Sequence, residues 1–419
     1  MSAQPSLSVR VPGLVLTEHE LAVPLDHRRP DGPQLTVFAR EAADPEGRDR
    51  PLLVFLTGGP GSEAPRPTGF PVSPGWLARA LVDYRVLLLD QRGTGRSSPV
   101  GASQESATSP EEQADRLALF RADSIVADAE LVRAHLGVER WSLLGQSFGG
   151  FCALHYLSVA PHALREVLFT GGLPPVGRHV DDVYTLTYAT MLERTRRYYR
   201  TYQSDRDRVR ALHERAEAGS LLLADGEPVT SWRLRGIGSS LGMSDGADRL
   251  HHLLELDPDS PAFRHDLADA LPFRARNPLY AVVHEASYAD GGATRWSAER
   301  VLPEEYAADV TLFTGEHVFP STFADTAGLA PLREVADLLA EREWPALYDA
   351  EVLGSVDVPC AAAVYTEDAY VPWQLSEETA RLVPTMHTWV TNEFQHNGLR
   401  ADGGRILDRL IGLARGRVA

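Results

Sequence analysis

Lysine is missing from this chain: all 41 basic residues are arginine. That removes Schiff-base nucleophiles, a pyridoxal phosphate anchor, Walker A phosphate loops and Ser-Lys dyads. Cysteine is nearly missing too. Cys152 and Cys360 lie far apart in apolar segments, too few for a disulfide framework or a zinc ligand set, and both read as buried free thiols. Cys152 falls one helical turn beyond Ser147, where a thiol reagent is expected to interfere sterically. No run of 18 apolar residues exists, so no membrane span is expected. The N-terminal MSAQPSLSVRVPGLVLTEHELAVPLDH lacks a basic start followed by a long apolar stretch. No signal peptide is therefore expected, and the cytoplasm is the expected compartment. Positive charge is also short: 58 acidic residues against 41 basic ones give a net charge of −17. That balance argues against nucleic acid or an anionic membrane as partner.

What is present describes a globular chain. With 419 residues and 43% hydrophobic content, it suits an α/β domain that carries a large insertion. Residues 12–40 alternate polar and apolar, as edge strands do. Buried-strand candidates follow at 52–56, 85–89, 141–144, 166–170, 360–365 and 387–391, with helical patterns such as 113–136 and 150–159 between them. Short apolar runs alternating with helices imply a mostly parallel sheet covered on both faces. The strand signal stops near 172 and resumes near 359. Helical, Arg/Glu-rich stretches such as 188–218 and 334–349 occupy the interval. The expected organisation is a first core part over 1–174, a helical cap over 175–354 and a second core part over 355–419. The run ERTRRYYRTYQSDRDRVR in the cap reads as a solvated helix face laced by ion pairs, not as a nucleic-acid site.

The chemistry starts at Gly145-Gln146-Ser147-Phe148-Gly149, where an apolar strand meets a helix. Gly-x-Ser-x-Gly at such a corner matches the nucleophile elbow of the α/β-hydrolase fold. A serine nucleophile needs a base, and the base needs an orienting carboxylate. In this fold they follow in the order serine, acid, histidine. Asp368 comes just after the 360–365 strand and His396 just after the last one, 28 residues later. Glu367 is the rival acid; the downstream Val-Pro favours Asp368. Two fixed N–H groups must hold the oxyanion. Phe148 supplies one, and Gly59 in LLVFLTGGPGSEAPRP the other. Arg92 and Asp90 read as structural turn residues. His251-His252 with Glu255 lacks the spacing of a metal site, and no metal or cofactor is expected.

The segments GGPGSEAPRP, DQRGTGRSS, GQSFGG, HEASY, FTGEHVFP and TNEFQHNGLR together resemble the prolyl aminopeptidases (proline iminopeptidases), in the long form with an enlarged helical cap. One departure is Thr57, where short members carry histidine before Gly-Gly; a backbone donor role survives that change. The resemblance implies a serine exopeptidase whose partners are peptides with a free N-terminal proline. It also implies amine-binding glutamates, matched by Glu285 and Glu316, each set among apolar and aromatic residues. The competing reading of both is a buried carboxylate capping a cap helix. Leu173 and Tyr184 are the candidates for the slot that takes the pyrrolidine ring. The alternatives are an esterase or tripeptidyl-type aminopeptidase, or a ligand-binding protein on the same fold.

Overall fold

The computed structural model describes residues 7–101 and 108–418. Among them, nine strands form one sheet: β1 (Leu7–Val11), β2 (Leu14–Pro24), β3 (Gln34–Ala43), β4 (Leu52–Leu56), β5 (Arg85–Asp90), β6 (Trp141–Gln146), β7 (Leu164–Thr170), β8 (Cys360–Tyr365) and β9 (Met386–Thr391). Across the sheet they run β1-β2-β3-β5-β4-β6-β7-β8-β9. β1, β2, β3 and β5 pair antiparallel, and every pairing from β5 to β9 is parallel. The alternating segment of the sequence thus forms the antiparallel flank, and the continuous apolar runs form the parallel centre.

Those runs are continuous because both faces of the sheet are covered. In β4, Leu52, Val54 and Leu56 join a core that includes Val126, Phe151 and Leu154. Leu53 and Phe55 join the opposite core, with Leu77, Leu407 and Leu410. β8 divides in the same way, Ala362 and Val364 to one side and Ala361 and Ala363 to the other. The alanines of β8 are packed into both cores, where a larger side chain would overpack.

Register brings the strand ends together. Leu56 pairs with Gly145, Gln146 with Thr170, and Tyr365 with Thr391. The loops after β4, β6, β7, β8 and β9 therefore leave one edge of the sheet, where open α/β sheets carry their sites.

Between β7 and β8 the chain is helical, with its longest helices at Val180–Thr201, Asp205–Glu217 and Pro261–Ala270. A third apolar cluster, including Met191, Tyr198, Leu234 and Phe313, takes in Ala369 and Tyr370 from the loop after β8. The helical segment thus sits on that loop. No helix among the described residues is long and apolar enough to cross a membrane.

Three helical stretches differ from the sequence pattern. The 113–136 pattern is two helices, Pro110–Leu117 and Ala122–His135. Arg121 breaks it by taking an extended conformation and sending its buried guanidinium to the carbonyl oxygens of Ala289 and Pro345. The 188–218 stretch begins at Val180 and is interrupted between Thr201 and Asp205. The 334–349 stretch is helical only as far as Ala340 before a separate short turn at Ala350–Leu353. The arginine-rich run does carry ion pairs, Arg208 with Asp205 and Arg210 with Asp207 among them.

Candidate active site

Ser147 sits between the end of β6 and the helix Phe148–Val159, with φ 54° and ψ −127°. A positive φ is costly for a side chain with a Cβ, and the surroundings hold it there. The Ser147 N–H donates to the Thr170 carbonyl at 3.2 Å, and the Ser147 carbonyl accepts from Gly150 at 2.7 Å. Close approach does the rest. A Cβ on Gly149 would run into the Leu56 carbonyl, and one on Gly58 would lie 2.8 Å from the Ser147 Cβ. Gly149 in the helix and Gly58 in the loop after β4 therefore bring both elements against the serine. In that loop Gly59 takes φ +134°. Phe148 is the first residue of the helix, so its N–H is among those with no intrahelical acceptor.

His396 Nδ1 and Asp368 Oδ2 lie 2.8 Å apart. Asp368 Oδ1 accepts from the N–H groups of Tyr370 at 2.8 Å and Val371 at 3.0 Å. Both side chains are buried. Burial alone would push the imidazole pKa down, but the charge and hydrogen bond of Asp368, with Glu316 behind them, carry it up instead. The backbone N–H of His396 donates to the Gly242 carbonyl at 3.1 Å. Tyr370 stands edge-on to the imidazole with ring centres 4.9 Å apart. The carboxylate of Glu367 turns away from this cluster and pairs with Arg194 at 2.8 Å and Arg197 at 3.2 Å.

The two glutamates occupy different settings. Glu316 accepts from the Tyr280 hydroxyl at 2.5 Å. Burial raises its pKa, opposed by the nearby His396 and by that hydrogen bond. Its electrostatic link to His396 and Asp368 places it beside that pair. Glu285 Oε1 accepts from the Ala298 N–H at 2.8 Å, at the start of a short helical turn. That is the capping role foreseen as the competing reading. Its Oε2 is buried and makes no hydrogen bond of full geometry, although the Thr294 hydroxyl and the Ser297 N–H also act on the carboxylate; the hydroxyl of Tyr184 is buried without a partner. After burial, the charge of Glu285 is the strongest influence on the Tyr184 phenol.

Burial pushes the Glu285 pKa up to about 7 from an ordinary 4.5. The folded chain then holds a proton that the unfolded chain has released, so this group lowers stability as pH rises between those two values. Glu285→Gln keeps the acceptor toward Ala298 without the charge. Its unfolding free energy in urea should match wild type near pH 4.5 and exceed it by roughly 3 kcal/mol at pH 8. A gap that does not change with pH would refute a desolvated carboxyl.

Aromatic rings pack in a chain from the elbow to the helical segment. Ring centres are 6.0 Å apart for Phe148–Phe151, 5.0 Å for Phe151–Tyr288 and 6.2 Å for Tyr288–Tyr184. Leu173 is buried just beyond β7, and its carbonyl accepts from Ser376 at 2.8 Å. Tyr280, Tyr288 and Tyr370 went unremarked in the sequence, because a tyrosine in an apolar segment reads as core.

Other residues take structural places. Arg92 grips Asp128 through Nε at 2.7 Å and Nη2 at 2.6 Å, while Asp90 accepts from the N–H groups of Ala64 and Arg96. His251 bonds Asp205 at 2.8 Å and stacks on Tyr202. Cys152 corrects an expectation: it is fully buried and burial drives its thiol pKa far up, so a reagent has neither access nor a thiolate to attack.

Comparison with known proteins adds the following. A family model described as the alpha/beta hydrolase fold matches residues 51–225. A proline iminopeptidase of Aeromonas sobria is 43% identical over 417 residues, spanning 96% of this chain and 97% of that protein. A proline iminopeptidase of Aspergillus aculeatus is 33% identical, spanning 96% of this chain and 94% of its own. A probable proline iminopeptidase of Streptomyces coelicolor is 36% identical over a shorter stretch, 35% of this chain and 40% of its own.

Proposed function

This chain belongs to the proline iminopeptidase family, and from that premise we propose how it releases N-terminal proline from peptides. Residues 175–354 act as a cap that holds the substrate's amino end. The pyrrolidine ring lies against the aromatic slot that includes Tyr184, with Leu173 beside it. A prolyl ammonium is secondary and carries two N–H donors. Glu316 takes one, and the buried Oε2 of Glu285 takes the other. Desolvating that cation is costly unless carboxylates meet it, and its charge in turn draws the Glu285 carboxyl to its ionised form.

Ser147 Oγ attacks the prolyl carbonyl carbon while His396 Nε2 takes its proton. Asp368 holds the imidazole by Nδ1–H and stabilises the imidazolium. The N–H groups of Gly59 and Phe148 receive the oxyanion. When the tetrahedral intermediate collapses, the C–N bond breaks and His396 gives its proton to the leaving amine. Water, deprotonated by His396, then attacks the prolyl ester, and proline leaves as Ser147 regains its proton. No step calls for a metal or cofactor.

The observation that carries this reading is Glu316, a half-buried carboxylate within electrostatic reach of His396 and Asp368. A generic esterase has no use for an anion there, whereas an aminopeptidase needs one. The test follows from charge. Glu316→Gln or Glu285→Gln leaves a buried ammonium short of a partner, worth about 2–5 kcal/mol, or 30- to several-thousand-fold in kcat/KM on proline arylamide. Hydrolysis of a simple activated ester, which has no ammonium, should fall by less than about threefold. N-acetylation of the proline should abolish wild-type turnover. Equal losses on both substrates would make the glutamates structural.

A further inference from the structure

A peptide whose amino end is held by Glu316 must leave past His396, because His396 protonates the departing nitrogen. A groove lies there. It has a volume of about 430 Å³, and its lining includes His396, Thr57, Gln146, Trp76, Met243 and Arg400. Thr57 adjoins the glycines of the oxyanion loop, Gln146 adjoins Ser147, and Met243 belongs to the helical segment. The groove therefore opens where cap and core meet, on the side of the base. Neither glutamate and none of the aromatic slot residues line it.

In a chain of net charge −17, the lining holds one arginine and no carboxylate, and is otherwise largely apolar or uncharged. Arg400 follows His396 on the short turn Gly398–Ala401. Among the described residues its hydrogen-bond partner is Asp245, through Nη2 at 2.6 Å, and its side chain is 55% exposed. A guanidinium has five N–H donors in a planar fork, so Arg400 retains donors for a second carboxylate. The helical turn begins only at Gly398, and His396 and Arg400 both line the groove. Two residues of extended peptide reach about 7 Å. A leaving group of two residues is small enough for a groove of about 430 Å³.

Resting on the aminopeptidase reading above, we propose that this groove is the leaving-group site and that Arg400 receives the free C-terminal carboxylate of short substrates. The preferred substrates are then prolyl tripeptides with an apolar residue after the proline. The anionic end is recognised together with the cationic one, in separate sites on either side of His396. Asp245 holds Arg400 in place until the carboxylate arrives.

The experiment compares Pro-Leu-Gly, its C-terminal amide and Pro-Asp-Gly, with proline arylamide as reference. Wild type should cleave the free acid about tenfold better than the amide by kcat/KM, as expected for one charge-assisted pairing at a partly exposed site. It should also prefer leucine to aspartate in the second position. Arg400→Gln should bring the acid-to-amide ratio to within twofold of one, and Arg400→Lys should keep part of it. Asp245→Asn removes the same ion pair while freeing Arg400, so it should keep or raise the ratio. If Asp245→Asn collapses the ratio as Arg400→Gln does, the ion pair is structural and the proposal fails. A wild-type ratio of one with proline arylamide still cleaved overturns this inference alone. Failure to cleave proline arylamide overturns the aminopeptidase reading beneath it.

Discussion

Ser147→Ala should lower kcat on proline arylamide by about 10⁵- to 10⁶-fold, the scale seen when a serine nucleophile acting with its base is removed. The surroundings of the residue make this a clean test. The strained φ of 54° is imposed by backbone contacts with Thr170 and Gly150, and alanine accepts the same backbone as serine does. The fold should therefore survive, with circular dichroism and thermal unfolding close to wild type. A fluorophosphonate should label the wild type at Ser147 alone and the variant nowhere. Labelling elsewhere, or activity above one per cent, would remove Ser147 from the chemistry. Cys152 cannot confuse the result, because it is sealed inside the core.

The parallel centre of the sheet was legible because its strands are short, mostly apolar and punctuated by glycine or charge. β4 and β8 fall on the residues the apolar runs marked, and β5, β6 and β7 extend them by a residue or two. The helices were less legible. The break at Arg121 depends on carbonyl oxygens at Ala289 and Pro345, which no local window contains. The site divided in the same way. Ser147 and His396 could be read from their stations relative to strands, since register fixes where a loop leaves the sheet. Glu367 and Asp368 are neighbours of like chemistry, and spacing could not separate their directions. What separates them is Arg194, a residue of the helical segment that engages both the carboxylate and the backbone carbonyl of Glu367. In sequence, Arg194 is one of many arginines in a helix that reads as solvated. The partners of Glu316 and Glu285 were out of reach for a similar reason: Tyr280 and Ala298 carry no signal of their own.

The same neighbours predict opposite results from two adjacent substitutions. Asp368 uses both carboxylate oxygens: Oδ1 accepts two backbone N–H groups, from Tyr370 and Val371, and Oδ2 meets His396 Nδ1. Asparagine has only one acceptor oxygen. Leaving two buried N–H groups without a partner costs about 1–3 kcal/mol each, so the amide oxygen should stay with Tyr370 and Val371. The NH₂ group then faces His396 Nδ1, where two donors cannot meet. The imidazole must move its proton to Nε2, which turns the base that should receive the serine proton into a donor. Asp368→Asn should therefore fold normally yet lose about 10⁴-fold in kcat, as expected for a triad locked in the wrong tautomer. It should also lose the upward shift of the imidazole pKa, because the Asp368 charge and hydrogen bond are what overcome burial there. The histidine ring should then titrate lower in the variant by NMR. Glu367→Gln loses only a partly exposed pairing with Arg194 and Arg197 and should change kcat by less than about threefold. If Glu367→Gln proves the more damaging, the orienting charge belongs to Glu367. If Asp368→Asn lowers activity without lowering the histidine pKa, Asp368 supports the loop and does not orient the base.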